Sequence, residues 1–394
     1  MMELDFSVME GEGEEAEQLL PLMEAFEKQS HIHVNIIPLP WEKAWSEVAK
    51  YGIYGHGPDV SAIGASWIGS LASMQALRPF TPAQIQALGG ANAFFESIWQ
   101  AGLLRDGPTI WAIPWVGDVR VIYYWKDALK KAGVKDFDAA FKTDSALVET
   151  LEKLKEKGVK YPLAINTLPI YLAVHEAAYW VWNAGGDFVS PDGKRVAFNE
   201  PRGLEGFKNY FSLLPYINPQ SMKNVSGGFF YEESSPVHIA GLWVPSSKNI
   251  TAERKDQLGV ARFPGMAYVG GSALVIWQYT SRFTEAFELI RFLSSKPLVY
   301  NQKDPRYKQL PTRRESLDAP ETQNNVFNRI YMQTLQSGKT FPTLRLWGLI
   351  EEKLLVEIAN IWADLFDNPD QDLDACLHKH LDPLAKRLNM ILGN

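Results

Sequence analysis

WAIPWVGDVRVIYYWKD, residues 111–127, is the stretch on which the reading of this chain turns. It holds three tryptophans, a proline, a glycine and an Asp–x–Arg pair, and it ends in Lys126–Asp127. Residues 119–125 are β-branched and aromatic, the composition of a buried strand. Gly117–Asp118 stands at the mouth of that strand, with Trp111 and Trp115 just ahead of it. A carboxylate and a guanidinium among indoles suit a polyhydroxylated ligand. The stretch therefore reads as a crossing between two lobes, with the ligand at the crossing.

Working outward, 394 residues are long for one core, and two domains are the expectation. Apolar residues make up 46% and charged residues 22%, an ordinary globular composition rather than a disordered one. Net charge is −7 and no basic stripe appears, which argues against a nucleic-acid partner. The apolar segments are interrupted before the roughly 18 residues that a membrane helix needs. A single cysteine, Cys376, excludes an intrachain disulfide framework, and it falls in an expected C-terminal helix rather than at a lipid-anchoring position. The opening MMELDFSVM has neither basic n-region nor apolar h-region, so the chain is either cytosolic or a mature form whose signal has been removed. Thirteen tryptophans and fifteen tyrosines exceed what core packing calls for. Trp41, Trp67, Trp115, Trp182 and Trp243 sit at element ends, where loops present side chains.

The order of elements points to an α/β fold. A strand over 4–9 leads through an acidic loop into a helix ending near Gln29, with Leu19, Leu20, Met23 and Phe26 on one face and Pro21 inside it. A second strand over 33–39, a helix from Trp41 to Lys50 and a third strand within 58–66 follow. Such alternation implies a parallel sheet with ligand loops at the carboxyl ends of its strands. Further on come a charged helical region over 126–160, an aromatic helix over 169–183 closed by Gly185–Gly186, strands within 237–243, 258–265 and 268–277, and long helices from 344 to 391.

Residues 11–16, GEGEEA, match the G-x-G-x-x-A dinucleotide pattern between a strand and a helix. Glu12, Glu14 and Glu15 would repel a pyrophosphate there, and no acidic residue after the second strand is placed to take a ribose. Carboxylates at a helix N-terminus complement its dipole and accept hydroxyl hydrogens.

In their order and spacing, these signals resemble the extracellular solute-binding proteins of carbohydrate ABC importers, the maltose-binding-like group. The carrying motifs are FEKQSHIHV after the acidic loop, GPDVSAIGASWIGSLASMQALRPF at 57–80, the stretch 111–127, WNAGGDFV at 182–189, IAGLW at 239–243, VGGSALVI with FELIRFLSS at 269–295, and FPTLRLWGLIEEKLLVEIANIW at 341–362. The resemblance implies a two-lobed periplasmic-binding-protein clamshell of type II. Each lobe would be a mixed, mainly parallel sheet flanked by helices, with the ligand in the inter-lobe cleft and hinge closure around it. The lobes would be 1–115 plus 271–311 and 116–270 plus 312–394, with crossings near 113–118, 268–273 and 309–315. Carried over residue by residue, it implies ligand contacts at Glu10, Glu14, Ser66, Trp67, Asp118, Trp243 and Trp347. Gly270 and Gly271 join them as a place of close backbone approach, and Trp41, Trp115, Arg120, Trp182 and Arg345 are further candidates. At the aromatic helix the candidates are Tyr171 or His175, of which His175 is taken. The implied partners are a small-molecule carbohydrate and the membrane permease subunits of an ABC importer. The protein itself would be a monomer without cofactor, periplasmic or extracellular and membrane-associated, its signal or lipid anchor removed.

Physical chemistry supports a sugar. Flat rings pack on the C–H faces of sugars, and planar Asp, Glu and Arg groups take paired hydroxyls. Trp99, Trp125, Trp277 and Trp362 read as structural, and Trp111 as first-lobe core. Asp118 and Arg120, two apart on a strand, would share one face, so that a mutual salt bridge competes with ligand contact by Arg120. Metal chemistry finds little support: His31 and His33 lack a third ligand nearby, and His378 and His380 diverge on a helix. One competing class is a carbohydrate-active enzyme pairing two of Glu10, Glu14, Asp118 and Glu176, although no nucleophile elbow or triad motif appears. Another is the same clamshell for a non-sugar solute such as a polyamine, whose ammonium groups also suit carboxylates and rings.

Overall fold

The computed structural model describes residues 2–10, 15–104, 107–224, 227–295 and 310–393. Residues 11–14, with Glu14 and the two glycines of the G-x-G-x-x-A pattern, lie outside the described residues. The described strands are β1 (Met2–Glu10), β2 (Ile32–Pro40), β3 (Val60–Gly64), β4 (Ile113–Val119), β5 (Val121–Trp125), β6 (Leu163–Ala164), β7 (Val237–Ala240), β8 (Leu258–Ala261), β9 (Val269–Ile276) and β10 (Leu310–Pro311). The longer helices are α1 (Glu15–Ser30), α2 (Trp41–Tyr54), α3 (Asp144–Glu156), α4 (Tyr171–Asn183), α5 (Pro201–Phe211), α6 (Phe283–Ser295), α7 (Val326–Ser337), α8 (Trp347–Asp367) and α9 (Leu373–Leu392).

The chain divides into two compact units. The first takes 1–118, 269–323 and 340–348, and the second takes 119–268, 324–339 and 349–394. The first crossing falls between Asp118 and Val119, inside the quoted stretch. Residues 312–323 and 340–348, expected in the second lobe, lie in the first unit, and hydrogen bonds explain why. Thr312 Oγ1 donates to Pro114 O at 3.1 Å, Arg314 Nε to Phe94 O at 2.7 Å and Thr343 Oγ1 to Ala101 O at 2.9 Å. The third crossing accordingly falls after Gln323 instead of at 309–315, and the chain passes between units again after Lys339 and Gly348.

The first unit is built on a six-stranded sheet of order β10-β4-β9-β3-β1-β2. β1 runs parallel to both β2 and β3, and β9 returns antiparallel to β3. Leu4, Phe6 and Val8 alternate inward on β1 and pack with Leu19, Met23 and Phe26 of α1. Leu20 departs from the expected apolar face and is exposed, because 19, 23 and 26 follow the helical period whereas 20 is rotated about 100° away.

In the second unit, the sheet order is β6-β7-β5-β8. β5 pairs antiparallel with β7 and β8, and only β6 and β7 run parallel. This sheet is mixed as expected, yet its antiparallel pairs outnumber the parallel one. All five residues of β5 are buried, which is what its unbroken β-branched and aromatic run calls for in a strand covered on both faces. Trp125 stacks on Phe230 at 4.8 Å, and Trp362 is buried against Phe211.

Candidate functional site

In the first unit the candidate residues gather where the parallel strands end. Glu10 closes β1 and pairs in register with Pro40, the last residue of β2, so Trp41 at the start of α2 follows immediately. Ser66 and Trp67 occupy the short 3₁₀ turn directly after β3. Glu10, Trp41, Ser66 and Trp67 are all half-buried. The Trp67 ring lies 5.9 Å from Trp41 and 5.6 Å from Trp45, tilted against both. Trp45, which the sequence reading did not single out, is 39% exposed. Its signal was available: it stands one helical turn after Trp41, on the same side of α2.

Asp118 ends the first unit's share of β4, half-buried with Oδ1 out of solvent. Gly270 is buried and Gly271 half-buried on β9. Gly271 has φ +127°, and a Cβ there would stand 1.9 Å from Val116 O. Close backbone approach is thus real at Gly271, and what approaches is β4. Arg345 is exposed.

Two further first-unit candidates are core residues. Trp115 is buried, with Phe6 edge-on at 5.8 Å. Trp347 is 1% exposed and stacks on Phe341 at 4.5 Å. Both are corrected from ligand contacts to packing residues, because neither offers a ring face to solvent.

The strand expected to carry Asp118 and Arg120 on one face is interrupted at Arg120. β4 and β5 belong to different sheets, so the pair does not share a strand face. Arg120 is 1% exposed. Its backbone N–H donates to Tyr268 O at 3.0 Å, and its guanidinium donates to His175 Nδ1 at 2.9 Å. The guanidinium carbon lies 5.1 Å from the Trp243 ring centre and 5.3 Å from that of Tyr268. His175 is buried, stacked on Tyr268 at 3.8 Å, with Nε2 3.3 Å from Glu351 Oε1.

A guanidinium can only donate, so Nδ1 of His175 accepts, and the ring proton sits on Nε2 facing Glu351. Burial, and then the charge of Arg120, push the His175 pKa well below the usual imidazole value, keeping the ring neutral. The result is a buried chain from cation through neutral imidazole to carboxylate, threaded by an aromatic stack. Arg120 and His175 are corrected from ligand contacts to groups buried inside the second unit, the Arg120 guanidinium lying against the Trp243 ring. Sequence reading could not find Glu351 or Tyr268, since they lie far along the chain from Arg120.

Trp243 itself is 41% exposed. Its ring folds back over Gly241, where a Cβ would stand 2.1 Å from Trp243 Cζ3. One edge of the indole is thereby fixed by the backbone and Arg120 while the rest stays open. Trp182 is buried, donates from Nε1 to Asp187 Oδ1 at 3.2 Å and carries Lys339 over its ring; it too is corrected to a structural role. Of the two possibilities on the aromatic helix, Tyr171 is the exposed one. Glu176 is buried and accepts hydrogen bonds from the backbone N–H and side-chain amide of Asn166. Burial raises its carboxyl pKa to about 8 against the lowering effect of Asn166.

Among solved structures, the sugar-binding protein MalE of Xanthomonas citri superposes with a TM-score of 0.83 at 22% identity, covering 99% of this chain and 97% of that one. A solute-binding protein of an ABC transporter from Thermotoga lettingae, bound with α-D-tagatose, superposes with a TM-score of 0.82 at 19% identity over the full length of both chains. These likenesses show the two-lobed type II periplasmic-binding-protein fold, with mixed sheets flanked by helices. A Deinococcus radiodurans protein described as a probable ABC transporter-binding protein is 24% identical over 298 residues, 69% of this chain and 67% of that relative. Residues 11–298 match the family model described as bacterial extracellular solute-binding protein. By that match, over most of its length, the chain belongs to the bacterial extracellular solute-binding protein family.

Proposed function

We propose that this protein binds a carbohydrate, an oligosaccharide rather than a monosaccharide, and delivers it to the permease subunits of an ABC importer. As a member of an extracellular family, it works in the periplasm or outside the cell. The observation that carries the reading is the indole cluster at the ends of the parallel strands, with Trp67 tilted between Trp41 and Trp45. Three half-open rings offer more stacking surface than one sugar ring covers. The open face of Trp243 in the second unit is of the same kind. Glu10 and Asp118 supply planar acceptors for hydroxyl pairs. The named ligand of the Thermotoga lettingae protein is itself a sugar.

Family and fold are those of binding proteins. Among the carboxylates weighed for a catalytic pair, Glu176 is buried and tied to Asn166, which supports the binding reading. A polyamine is the second reading, favoured by the same carboxylates and rings, which also suit ammonium groups.

Isothermal titration against a maltodextrin series and against spermidine separates the two. Saturable binding that strengthens from mono- to tri- or tetrasaccharide is expected. Spermidine binding without any sugar binding would replace the first reading by the second.

A further inference from the structure

Away from these residues, at the C-terminal end of the second unit, three chemically different donors converge. Asp364 stands in the last turn of α8, and Cys376 and His380 stand one turn apart on a single face of α9. One donor atom from each lies within 4.8 Å of the other two. His380 Nε2 is 2.9 Å from Asp364 Oδ2, while its Nδ1 is 3.1 Å from Glu357 Oε2. Glu357 also receives Asn360 Nδ2 at 3.2 Å and Arg387 at 3.4 Å. Asp364 further receives Lys379 Nζ at 2.5 Å, and its carbonyl takes Gln371 Nε2 at 2.7 Å. Cys376 is buried, and His378 turns to a separate partner, Asp382.

We infer that Asp364, Cys376 and His380 form a binding site for a divalent transition-metal ion of the zinc type, with Glu357 orienting the imidazole. A thiolate, an imidazole and a carboxylate are the donor types zinc takes, three protein donors leaving a fourth position for water. Metal–donor lengths of about 2.0–2.3 Å set tetrahedral donors roughly 3.3–3.6 Å apart, so side-chain movement of about 1 Å closes the set. A carboxylate on the far nitrogen of a ligating histidine is the arrangement that fixes tautomer and ring orientation.

Charge and protons balance. The ion bonds to Cys376 sulfur as the thiol proton leaves to solvent. His380 binds neutral through Nε2, with its Nδ1–H donated to Glu357, and Lys379 releases Asp364. Thiolate and carboxylate then cancel the two charges of the ion. Neutralisation on this scale favours a partly buried site, where uncompensated charge is costly.

This inference stands independently of the sugar reading, and its test uses no sugar. Metal-free full-length protein is titrated with cobalt(II), then with zinc(II). The expected result is a near-ultraviolet thiolate-to-cobalt band and visible ligand-field bands that saturate at one equivalent and are bleached by zinc. Cys376→Ser should lose the near-ultraviolet band. His380→Gln should lose the saturable visible bands, and Glu357→Gln should weaken zinc binding about 10–100-fold. Circular dichroism checks each variant's fold, and His380→Gln decides if Cys376→Ser does not fold. Absence of a saturable cobalt spectrum overturns the inference, as does unchanged zinc affinity in the folded variants.

Discussion

Trp67 lies between two other indoles, so its ring is held before any solute arrives. A side chain already fixed by its neighbours loses little rotamer freedom when a ligand takes its open face. Trp243 is fixed differently, by Gly241 beneath it and Arg120 beside it. Trp67→Ala, Trp243→Ala and Asp118→Ala are each expected to weaken sugar binding about 10–100-fold, the worth of 1–3 kcal/mol at a central contact. Their melting temperatures should stay near wild type, because these side chains are half-exposed. Titration calorimetry with parallel thermal melts checks both points, and unchanged affinity in all three would sink the site assignment. Gly271→Ala tests the backbone instead. With φ +127° and a Cβ driven into Val116 O, the variant should lose about 2 kcal/mol or more, read by urea unfolding.

At the scale of elements, α4 carries two adjacent buried titratable residues, His175 and Glu176. The fold raises the Glu176 pKa from 4.5 to about 8. Between those values the unfolded chain has released a proton that the folded chain keeps, so stability falls as pH rises and the loss is complete above about 8. Two imidazoles act in the opposite sense. His175 is held well below 6.5 and His238 on β7 at about 4, both chiefly by burial. Below pH 6.5 the unfolded imidazoles bind protons that the fold refuses, so stability also falls on acidification. Together these groups place maximum stability near pH 6.5. Glu176→Gln should flatten the decline between pH 6.5 and 8, a change of about 1–2 kcal/mol at 1.36 kcal/mol per proton and pH unit. Urea midpoints across pH check it, and an unaltered profile would mean that Glu176 is ionised in the fold.

For the whole molecule, the measurable signature of a specific solute is linkage. At a ligand concentration of 100 Kd, binding to the native state adds about 2.7 kcal/mol. For a chain of 394 residues that corresponds to roughly 3 °C in melting temperature, by the usual entropy per residue. A thermal scan against oligosaccharides should show this shift for the wild type and a smaller one for Trp67→Ala. A shift produced by every small polyol alike would speak for solvent exclusion rather than a site.

Much of this fold was legible along the chain. The strand–helix alternation of residues 4–66 and the buried run of β5 depend on near neighbours, and sequence carries those directly. The helix period of α1 was legible as well, except at Leu20. The candidate site was legible only in part. That Glu10, Trp41, Ser66, Trp67 and Asp118 stand at or next to strand ends follows from strand order; their contact with a solute is the proposal made above. Trp115, Trp182 and Trp347 look the same as Trp67 in sequence, yet they are buried. Whether an indole is open or covered is set by residues brought to it from elsewhere, as when Lys339 reaches the ring of Trp182.

The sequence by itself determined the α/β class, the two-part organisation, the family resemblance and the strand ends where a solute-binding group would gather. These are consequences of periodicity, composition and order, which are local. Only the tertiary structure decided that Arg120 is spent inside the second unit on His175, that Trp45 joins Trp67 and Tyr171 stands open, and that 312–323 and 340–348 return to the first unit. Each of these rests on hydrogen bonds or ring contacts formed when folding brings the partners together, and spacing along the chain does not encode which partner is met.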